Sequence, residues 1–216
     1  MSLLPNIAAI RKNYALKSLT EDSVAQDPIL QFRIWMEEAL AAEVVEPTAM
    51  VLSTATAAGR PSARVVLLKD VTANGFVFFT NYSSRKGSNM HDNPFAALTF
   101  FWPELERQVR IEGSIQKVEP AVSDAYFKSR PKGSQIGAWA SPQSQSISSR
   151  EVLEKADAAY SLEFAETAEI PRPPHWGGYS LQPDYIEFWQ GRPNRLHDRI
   201  VFEKQGAAWE LKRLAP

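Results

Sequence analysis

The segment RPNRLHDR, residues 192–199, groups a histidine with several arginines near the end of the chain. If the segment is extended, Arg195, His197 and Arg199 share one face, because alternate residues of a strand point the same way. Cationic groups at this spacing repel one another unless an anion is present, and a histidine can exchange a proton near neutral pH. The pattern indicates an anion site with proton chemistry, although a solvated charged strand would have the same sequence.

A second basic segment is RVVLLK, residues 64–69, which carries a cation at each end of an apolar run. In a strand, Arg64, Val66 and Leu68 lie on one side and Lys69 on the other. Such a strand could hold a phosphate or the edge of a cofactor ring. An ordinary strand with solvated ends is the alternative.

Two further segments combine basic residues with hydroxyl groups. TNYSSRK runs from a strand end into a helix start, where free backbone N–H groups together with Arg85 and Lys86 favour a phosphate. The loop sequence KSRPKGS offers the guanidinium of Arg130 and the hydroxyl of Ser134 as an anion clamp. A solvated helix start and a merely soluble loop are the alternatives.

The elements that must position these residues can be predicted from periodicity and turn residues. Asp27-Pro28 predicts the start of a helix that runs to about Glu43, and Ser148–Glu151 matches a capping box that begins a later helix. Further helices are predicted at 83–92, 120–129 and 134–140. Strands are predicted at 48–56, 62–69, 76–80, 95–102, 107–118, 185–189, 200–204 and 208–214. Consecutive strands with added helices favour an α+β fold with a closed or nearly closed antiparallel barrel.

Composition limits the classes of function. The 216 residues have a formal net charge of −1, which argues against nucleic acid or an anionic membrane as partner. No cysteine is present, and the histidines show no metal-ligand spacing, so we expect no metal. The sequence lacks an apolar run of membrane-spanning length and an export signal, so we expect a cytoplasmic protein. We also expect residues 1–27 to form a flexible arm and residues 28–216 a single domain.

Several segments, in order along the chain, resemble the pyridoxamine 5′-phosphate oxidase family. They are RVVLLK, SRK at 84–86, LERQVR at 105–110, SRPKGSQIGAWASPQS at 129–144, HWGG at 175–178, IEFWQG at 186–191 and RLHDR at 195–199. The resemblance implies a split β-barrel homodimer with FMN between the subunits. It also implies oxidation of pyridoxamine and pyridoxine 5′-phosphates to pyridoxal 5′-phosphate, the last step of its synthesis, with O₂ reduced to H₂O₂.

The resemblance assigns residues to the cofactor and to the vitamer. FMN contacts would fall on Arg64, Val65, Val66, Leu67, Leu68, Lys69, Phe79, Thr80, Arg85, Lys86, Gln108, Gln143, Ser144, Trp189 and Arg199. The vitamer would be held by Arg11, Lys12, Asn13, Tyr14, Lys69, Tyr126, Arg130, Ser134, Arg195, Leu196 and His197. The catalytic pair would be Arg195 and His197, either of which could act as a base, with the arm closing over them.

Some residues are interpreted differently from the pattern around them. Phe79 stands where the family commonly has tyrosine, and we expect His175 and Trp176 to be structural, packing a bend at Gly177-Gly178. A flavin reductase on the same barrel and a non-catalytic carrier of flavin or pyridoxal phosphate are the rival functions. The combined presence of the vitamer residues argues against the reductase, and the Arg195–His197 pair argues against the carrier.

Overall fold

The structure, a computed structural model, describes residues 9–216, so the first eight residues of the predicted arm lie outside the described residues. The helices are α1 (Pro28–Ala41), α2 (Arg85–Asp92), α3 (Pro120–Ser129), α4 (Lys132–Ala140) and α5 (Arg150–Glu163). The strands are β1 (Ala49–Ala55), β2 (Pro61–Leu67), β3 (Asp70–Thr72), β4 (Gly75–Asn81), β5 (Phe95–Trp102), β6 (Arg107–Lys117), β7 (Trp176–Gln190), β8 (Asp198–Gln205) and β9 (Ala208–Leu214).

The strands form one sheet with the order β2-β1-β5-β6-β7-β4-β3, and β8 pairs with both β7 and β9. The pairs β1–β2, β3–β4, β4–β7, β7–β8 and β8–β9 are antiparallel. Helices added to an antiparallel sheet make the fold α+β, as the sequence predicts.

The chain divides into two compact units. Unit 1 consists of the described residues up to Pro47 together with Thr99–Ile111 and Tyr185–Pro216. Unit 2 consists of Thr48–Leu98 and Glu112–Asp184. The prediction of a mobile arm at residues 1–27 before a single domain stays a prediction.

In unit 1, α1 begins as its sequence predicts. The Asp27 carboxylate accepts hydrogen bonds from the backbone N–H groups of Ile29 (2.7 Å) and Leu30 (3.3 Å), and proline occupies the first helical position. The helix ends at Ala41, two residues before the predicted end. Its buried face packs Phe32 against Phe100, with ring centroids 5.0 Å apart.

In unit 2, the predicted turns join paired strands. The β1–β2 hairpin pairs Val51 with Val65, and Gly59 in its turn has φ +78°. The Asn74-Gly75 turn leads from β3 into β4, but β3 itself was not predicted, because its three residues are too few to show a period.

Two local predictions are wrong. Gly177 and Gly178 do not form a bend but lie within β7, paired with Thr80 and Phe79. Glycine is needed there because a Cβ on Gly178 would lie 2.8 Å from the Phe79 ring. The capping box at Ser148 is also absent: Ser149 precedes α5 without a side-chain cap bond.

Within residues 9–216, no helix has the length and apolar character needed to cross a bilayer.

Candidate active site

Unit 1 contains a cavity of about 550 Å³ that is lined by residues of the arm and of the RPNRLHDR segment. Its lining includes the predicted arm residues and the predicted catalytic pair. The residues that line it are Ile10, Arg11, Lys12, Asn13, Tyr14, Arg192, Asn194, Arg195 and His197. Leu196 is not among them, and its side chain is exposed. The structure thus brings together residues that are about 180 positions apart in the sequence.

The backbone around Arg195 is not extended, so the predicted common face of Arg195, His197 and Arg199 is wrong. Pro193–Arg195 forms a 3₁₀ turn in which Asn194 has φ +58° and Arg195 φ +62°. Consecutive residues in the left-handed region end the alternation of a strand. The turn presents Arg195 and His197 to the cavity, whereas Arg199 lies in β8.

A backbone amide fixes the imidazole of His197. The N–H of Arg192 donates to Nδ1 of His197 over 3.0 Å. Because an amide can only donate, Nδ1 carries no proton, and the neutral ring carries its proton on Nε2. Burial and the charge of Arg195 lower the pKa of His197, while Asp198 acts in the opposite direction. The ring of Trp189 lies beside it, 4.6 Å between centroids.

Arg199 is held by a buried carboxylate. Its Nε and Nη2 donate to the two oxygens of Glu187 over 2.8 and 3.0 Å, and Glu187 also accepts from Arg110 over 3.1 Å. These bonds raise the pKa of Arg199. Gln108, also assigned to FMN by the resemblance, is half-buried in β6.

Unit 2 holds a cluster of cations at the junction of β2, β4 and α2. Lys86 Nζ donates to Gln143 Oε1 (2.6 Å), Thr80 Oγ1 (3.0 Å) and Ser84 Oγ (3.2 Å). Burial and the nearby charge of Arg64 lower the pKa of Lys86 to about 8. Burial likewise lowers the pKa of Arg64, and the charge of Arg85 adds to this effect.

These cations lack counter-ions within the described chain. Arg64 donates to neutral oxygens of Leu52, Thr54 and Ser62, and no carboxylate of residues 9–216 pairs with Arg64, Arg85 or Lys86. Like charges brought together and partly desolvated are stabilised by a bound anion. The first turn of α2, capped by Ser84, adds the positive end of a helix.

The RVVLLK segment follows its predicted alternation only as far as Leu67, where β2 ends. Val65 and Leu67 are exposed, while Arg64 and Val66 on the other side are half-buried. Leu68 is buried beyond the strand, and Lys69 is exposed. Ser144 is also exposed and has φ +70°.

The predicted vitamer-phosphate clamp contains a buried donor without a partner. Nη1 of Arg130 is buried and has no hydrogen-bond partner in the structure. Its guanidinium lies over the ring of Trp176, 4.6 Å from the centroid, and burial lowers the Arg130 pKa. Trp176 stacks on Phe79 (5.5 Å), which stacks on Tyr126 (4.0 Å).

A buried unpaired donor costs free energy, so this geometry favours a ligand oxygen at Arg130. Ser134 is exposed in the first turn of α4. Its predicted contact with the vitamer stays a prediction, as do the ligand roles of the other site residues.

Sequence reasoning missed the contribution of three residues to this arrangement. Trp176 was interpreted as structural, yet its ring packs against the guanidinium of Arg130. Arg192 lines the cavity and orients His197, although it lies outside the RLHDR segment that carries the resemblance. Glu106 lies within the singled-out LERQVR segment but received no role. Trp176 and Glu106 lie in HWGG and LERQVR, two of the segments that carry the resemblance, and this was the sequence signal that could have indicated a role for them.

Comparison with known proteins defines the class first. Residues 36–161 match the family model described as pyridoxamine 5′-phosphate oxidase. Residues 176–216 match the model described as the pyridoxine 5′-phosphate oxidase C-terminal dimerisation region. The chain belongs to the pyridoxamine 5′-phosphate oxidase family.

Relatives match the chain over almost its whole length. A protein of Cyanothece sp. (strain PCC 7425 / ATCC 29141), named pyridoxine/pyridoxamine 5′-phosphate oxidase, is 56% identical over 98% of this chain and 99% of its own. A protein of Cupriavidus metallidurans with the same name is 54% identical over 99% of this chain and 100% of its own.

A solved structure confirms the predicted fold class. PhzG from Burkholderia lata 383, in complex with tetrahydrophenazine-1-carboxylic acid, has a TM-score of 0.87 and 32% identity, covering 94% of this chain and 100% of that one. The α+β split β-barrel of antiparallel strands with flanking helices is therefore confirmed.

Proposed function

We propose that this chain is an FMN-dependent oxidase that converts pyridoxamine 5′-phosphate and pyridoxine 5′-phosphate to pyridoxal 5′-phosphate. The unpaired buried donor of Arg130, beside an aromatic stack, is the observation that carries the proposal. A phosphate monoester on an aromatic ring matches both features. Relatives at 52–56% identity carry the corresponding name.

The cation cluster of unit 2 fits the phosphate of FMN. Arg64, Arg85 and Lys86 supply positive charge that no carboxylate of residues 9–216 neutralises, and the first turn of α2 supplies backbone N–H groups. The chemistry that FMN supplies when bound is acceptance of a hydride from the C4′ carbon of the vitamer and passage of the electrons to O₂, which yields H₂O₂. Pyridoxamine 5′-phosphate additionally needs water and releases ammonia.

The chain's own groups have separate tasks in this reaction. Arg130 binds the vitamer phosphate. Arg195 presents a positive charge to the cavity, and Nε2 of His197 donates a hydrogen bond to a substrate oxygen or nitrogen. Tyr14 and the preceding arm residues line one side of the cavity, and their side chains limit the access of water to a bound vitamer.

The proposal includes a homodimer in the cytoplasm, with FMN at the subunit interface. The match of residues 176–216 to a dimerisation region supports the dimer. An open sheet face in unit 2 supports it as well. This face exposes the small or apolar side chains of Pro61, Ala63, Val65 and Leu67 on β2, beside Val51 on β1. Covering such a face removes apolar area from water.

The test is an assay of the purified protein loaded with FMN. We expect O₂ consumption, H₂O₂ and pyridoxal 5′-phosphate on addition of either phosphorylated vitamer, and far lower activity with unphosphorylated pyridoxine. Arg130→Met should raise KM for the phosphorylated vitamers about 10- to 100-fold, since a charge-assisted hydrogen bond is worth about 1.5–3 kcal/mol.

Each alternative predicts a different result of the same assay. A flavin reductase would oxidise a nicotinamide donor instead, and a carrier would bind the vitamer without consuming O₂. A chain with the specificity suggested by the PhzG complex would bind reduced phenazine carboxylates more tightly than vitamers. Absence of pyridoxal 5′-phosphate with both vitamers would reject the proposed function.

A further inference from the structure

Glu106 is a buried carboxylate that the proposed reaction does not use. Its residue is 3% exposed, in the turn between β5 and β6. Its backbone has φ +55°, a left-handed conformation that is unfavourable for a residue with a side chain. Such a conformation persists where surrounding contacts require it. Here the Glu106 carbonyl accepts from the N–H of Gly191 (2.8 Å) and from Gln190 Nε2 (3.2 Å).

The partners of this carboxylate are backbone groups of the arm. Oε2 of Glu106 accepts hydrogen bonds from the N–H groups of Ala15 (2.8 Å) and Leu16 (3.1 Å). Within residues 9–216, Glu106 has no ion pair. Two adjacent amides therefore satisfy one buried negative charge, and charge-assisted bonds of this kind are stronger than neutral ones.

The residue just before these amides is Tyr14, which packs closely against Gly191, Trp189 and His197. A Cβ on Gly191 would lie 2.8 Å from both Cβ and Cγ of Tyr14, so glycine is required for this approach. The Tyr14 ring packs edge-on against Trp189 (5.8 Å) and His197 (6.0 Å). Fixing residues 15 and 16 thereby fixes the Tyr14 ring against Trp189 and His197.

The base of the arm is attached independently of Glu106. The N–H of Leu19 donates to Asp198 Oδ2 (3.0 Å), and Arg213 pairs with Glu21 (2.8 Å) and donates to the Leu19 carbonyl (3.0 Å). Lys17 is attached as well, by an ion pair with Glu38 (2.9 Å) and by the hydrogen bond that Arg192 Nη1 donates to its carbonyl (3.3 Å). Loss of the Glu106 bonds would therefore loosen the residues up to Leu16, among which Lys12 also donates to the Pro103 carbonyl (3.3 Å), while the remainder of the arm stays in place.

We infer that Glu106 is a positioning residue that holds the arm closed over the vitamer cavity. This inference rests on the proposed function for its kinetic consequence. Arg11 through Tyr14 form one side of the cavity. A smaller closed population lowers the apparent affinity for the vitamer in proportion, while the reaction at saturation proceeds in the closed form. Glu106 thus affects KM more than kcat.

The experiment compares Glu106→Ala and Glu106→Gln with Glu104→Gln, an exposed glutamate in the same turn. Glu106→Ala should raise KM for pyridoxine 5′-phosphate tenfold or more, with kcat changed less than threefold and FMN content unchanged. Glu106→Gln, which keeps an oxygen acceptor, should stay within about threefold of the parent KM. Glu104→Gln should leave both constants unchanged.

A double variant distinguishes positioning from general destabilisation. In a Tyr14→Ala background, Glu106→Ala should raise KM little further, because the two changes remove the same closed arrangement. Gly191→Ala places a Cβ 2.8 Å from Cβ and Cγ of Tyr14 and 3.1 Å from Cβ of Glu106, so it should reproduce the KM increase by displacing both residues. Additive effects, or an unchanged KM in Glu106→Ala, would overturn the inference.

Hydrogen exchange provides a readout that does not depend on oxidase activity. In the FMN-loaded protein, the segment containing the amides of Ala15 and Leu16 should exchange at least tenfold faster in Glu106→Ala, and at the parent rate in Glu104→Gln. If the parent protein is inactive as an oxidase but shows this exchange pattern, the proposed function is rejected and the role of Glu106 in holding the arm is kept. Unchanged exchange in Glu106→Ala would reject the role of Glu106 in holding the arm.

Discussion

At the scale of single residues, His197 shows how a backbone contact limits chemistry. The Arg192 amide needs an acceptor, so protonation of Nδ1 would break their 3.0 Å bond. The lowered pKa of His197 agrees with this, because the neutral ring is the form that the site stabilises. At neutral pH, Nε2 is therefore a hydrogen-bond donor rather than a base.

Two amide substitutions separate the ring nitrogens of His197. Glutamine can place an N–H group near the position of Nε2, whereas asparagine can keep an acceptor near Nδ1. If donation from Nε2 matters, His197→Gln should lower kcat/KM about tenfold and His197→Asn about 100-fold, the difference being about one hydrogen bond. Steady-state kinetics with pyridoxine 5′-phosphate measure this. The reverse order would show that the acceptor at Nδ1 is the important group.

Lys86 should make binding of FMN depend on pH. Its pKa is about 8 in the free site against an ordinary value of 10.5, so raising the pH through 8 removes a charge that the phosphate needs. An anion favours the protonated form, so FMN binding takes up a proton near this pH. Titration of apoprotein with FMN, followed by quenching of flavin fluorescence, should show affinity falling up to tenfold per pH unit above 8.

Lys86→Arg is the matched control for this effect, because arginine keeps its charge over the whole range. Its FMN affinity should be nearly constant from about pH 7 to 9. An equal decline in the parent and in this variant would assign the titration to another group.

At the scale of elements, prediction from sequence succeeded where the signals are local. The Asp27-Pro28 cap and the apolar period of α1 lie within the helix itself, and the β1–β2 and β3–β4 turns carry their own glycines. The first half of β7 was missed because glycines adjacent in sequence resemble a bend. Their reason, close packing against Phe79, comes from a strand nearly 100 residues away.

The candidate site divides in the same way. The sequence located the basic segments, because residue type and spacing suffice to suggest an anion. It did not locate the residues that these side chains contact in the fold. Arg199 is bound by Glu187, His197 by the amide of Arg192, and Arg130 packs on Trp176, and the sequence patterns indicate none of these contacts. The 3₁₀ turn at Pro193–Arg195 also depends on left-handed residues that are not glycine, for which the sequence gives only a weak signal.

Two glycine-to-alanine changes should have opposite effects. A Cβ on Gly178 in β7 would lie 2.7 Å from Val118 Cγ2 and 2.8 Å from Phe79, so Gly178→Ala should lower the free energy of unfolding by about 1–3 kcal/mol. A Cβ on Gly137 in α4 meets no atom within 4 Å, so Gly137→Ala should raise it by about 0.5–1 kcal/mol. Urea unfolding of both apoproteins measures this. Stabilisation by Gly178→Ala would contradict the close packing of β7.

At the scale of the whole molecule, a net charge of −1 conceals a strongly uneven distribution. Among the described residues, the cations of Arg64, Arg85 and Lys86 have no counter-ion and Arg130 has an unpaired buried donor, so anionic ligands are attracted locally rather than by the overall field. The surface is uneven in polarity as well, since the outer face of the β1–β2 hairpin is apolar and open.

That hairpin face should form part of the homodimer interface, and Val51→Glu tests this. Val51 is 38% exposed, lies opposite Val65 in the hairpin and belongs to no proposed ligand site. A carboxylate buried there without a partner costs several kcal/mol, so the variant should dissociate at concentrations at which the parent is dimeric. Leu162→Glu, on the exposed face of α5, is the control and should leave the dimer intact. Sedimentation velocity measures both, and a Val51→Glu dimer of parental stability would place the interface elsewhere. Because FMN is proposed to lie between subunits, dissociation should also release the flavin, which links the oligomeric state to the cofactor content of the protein.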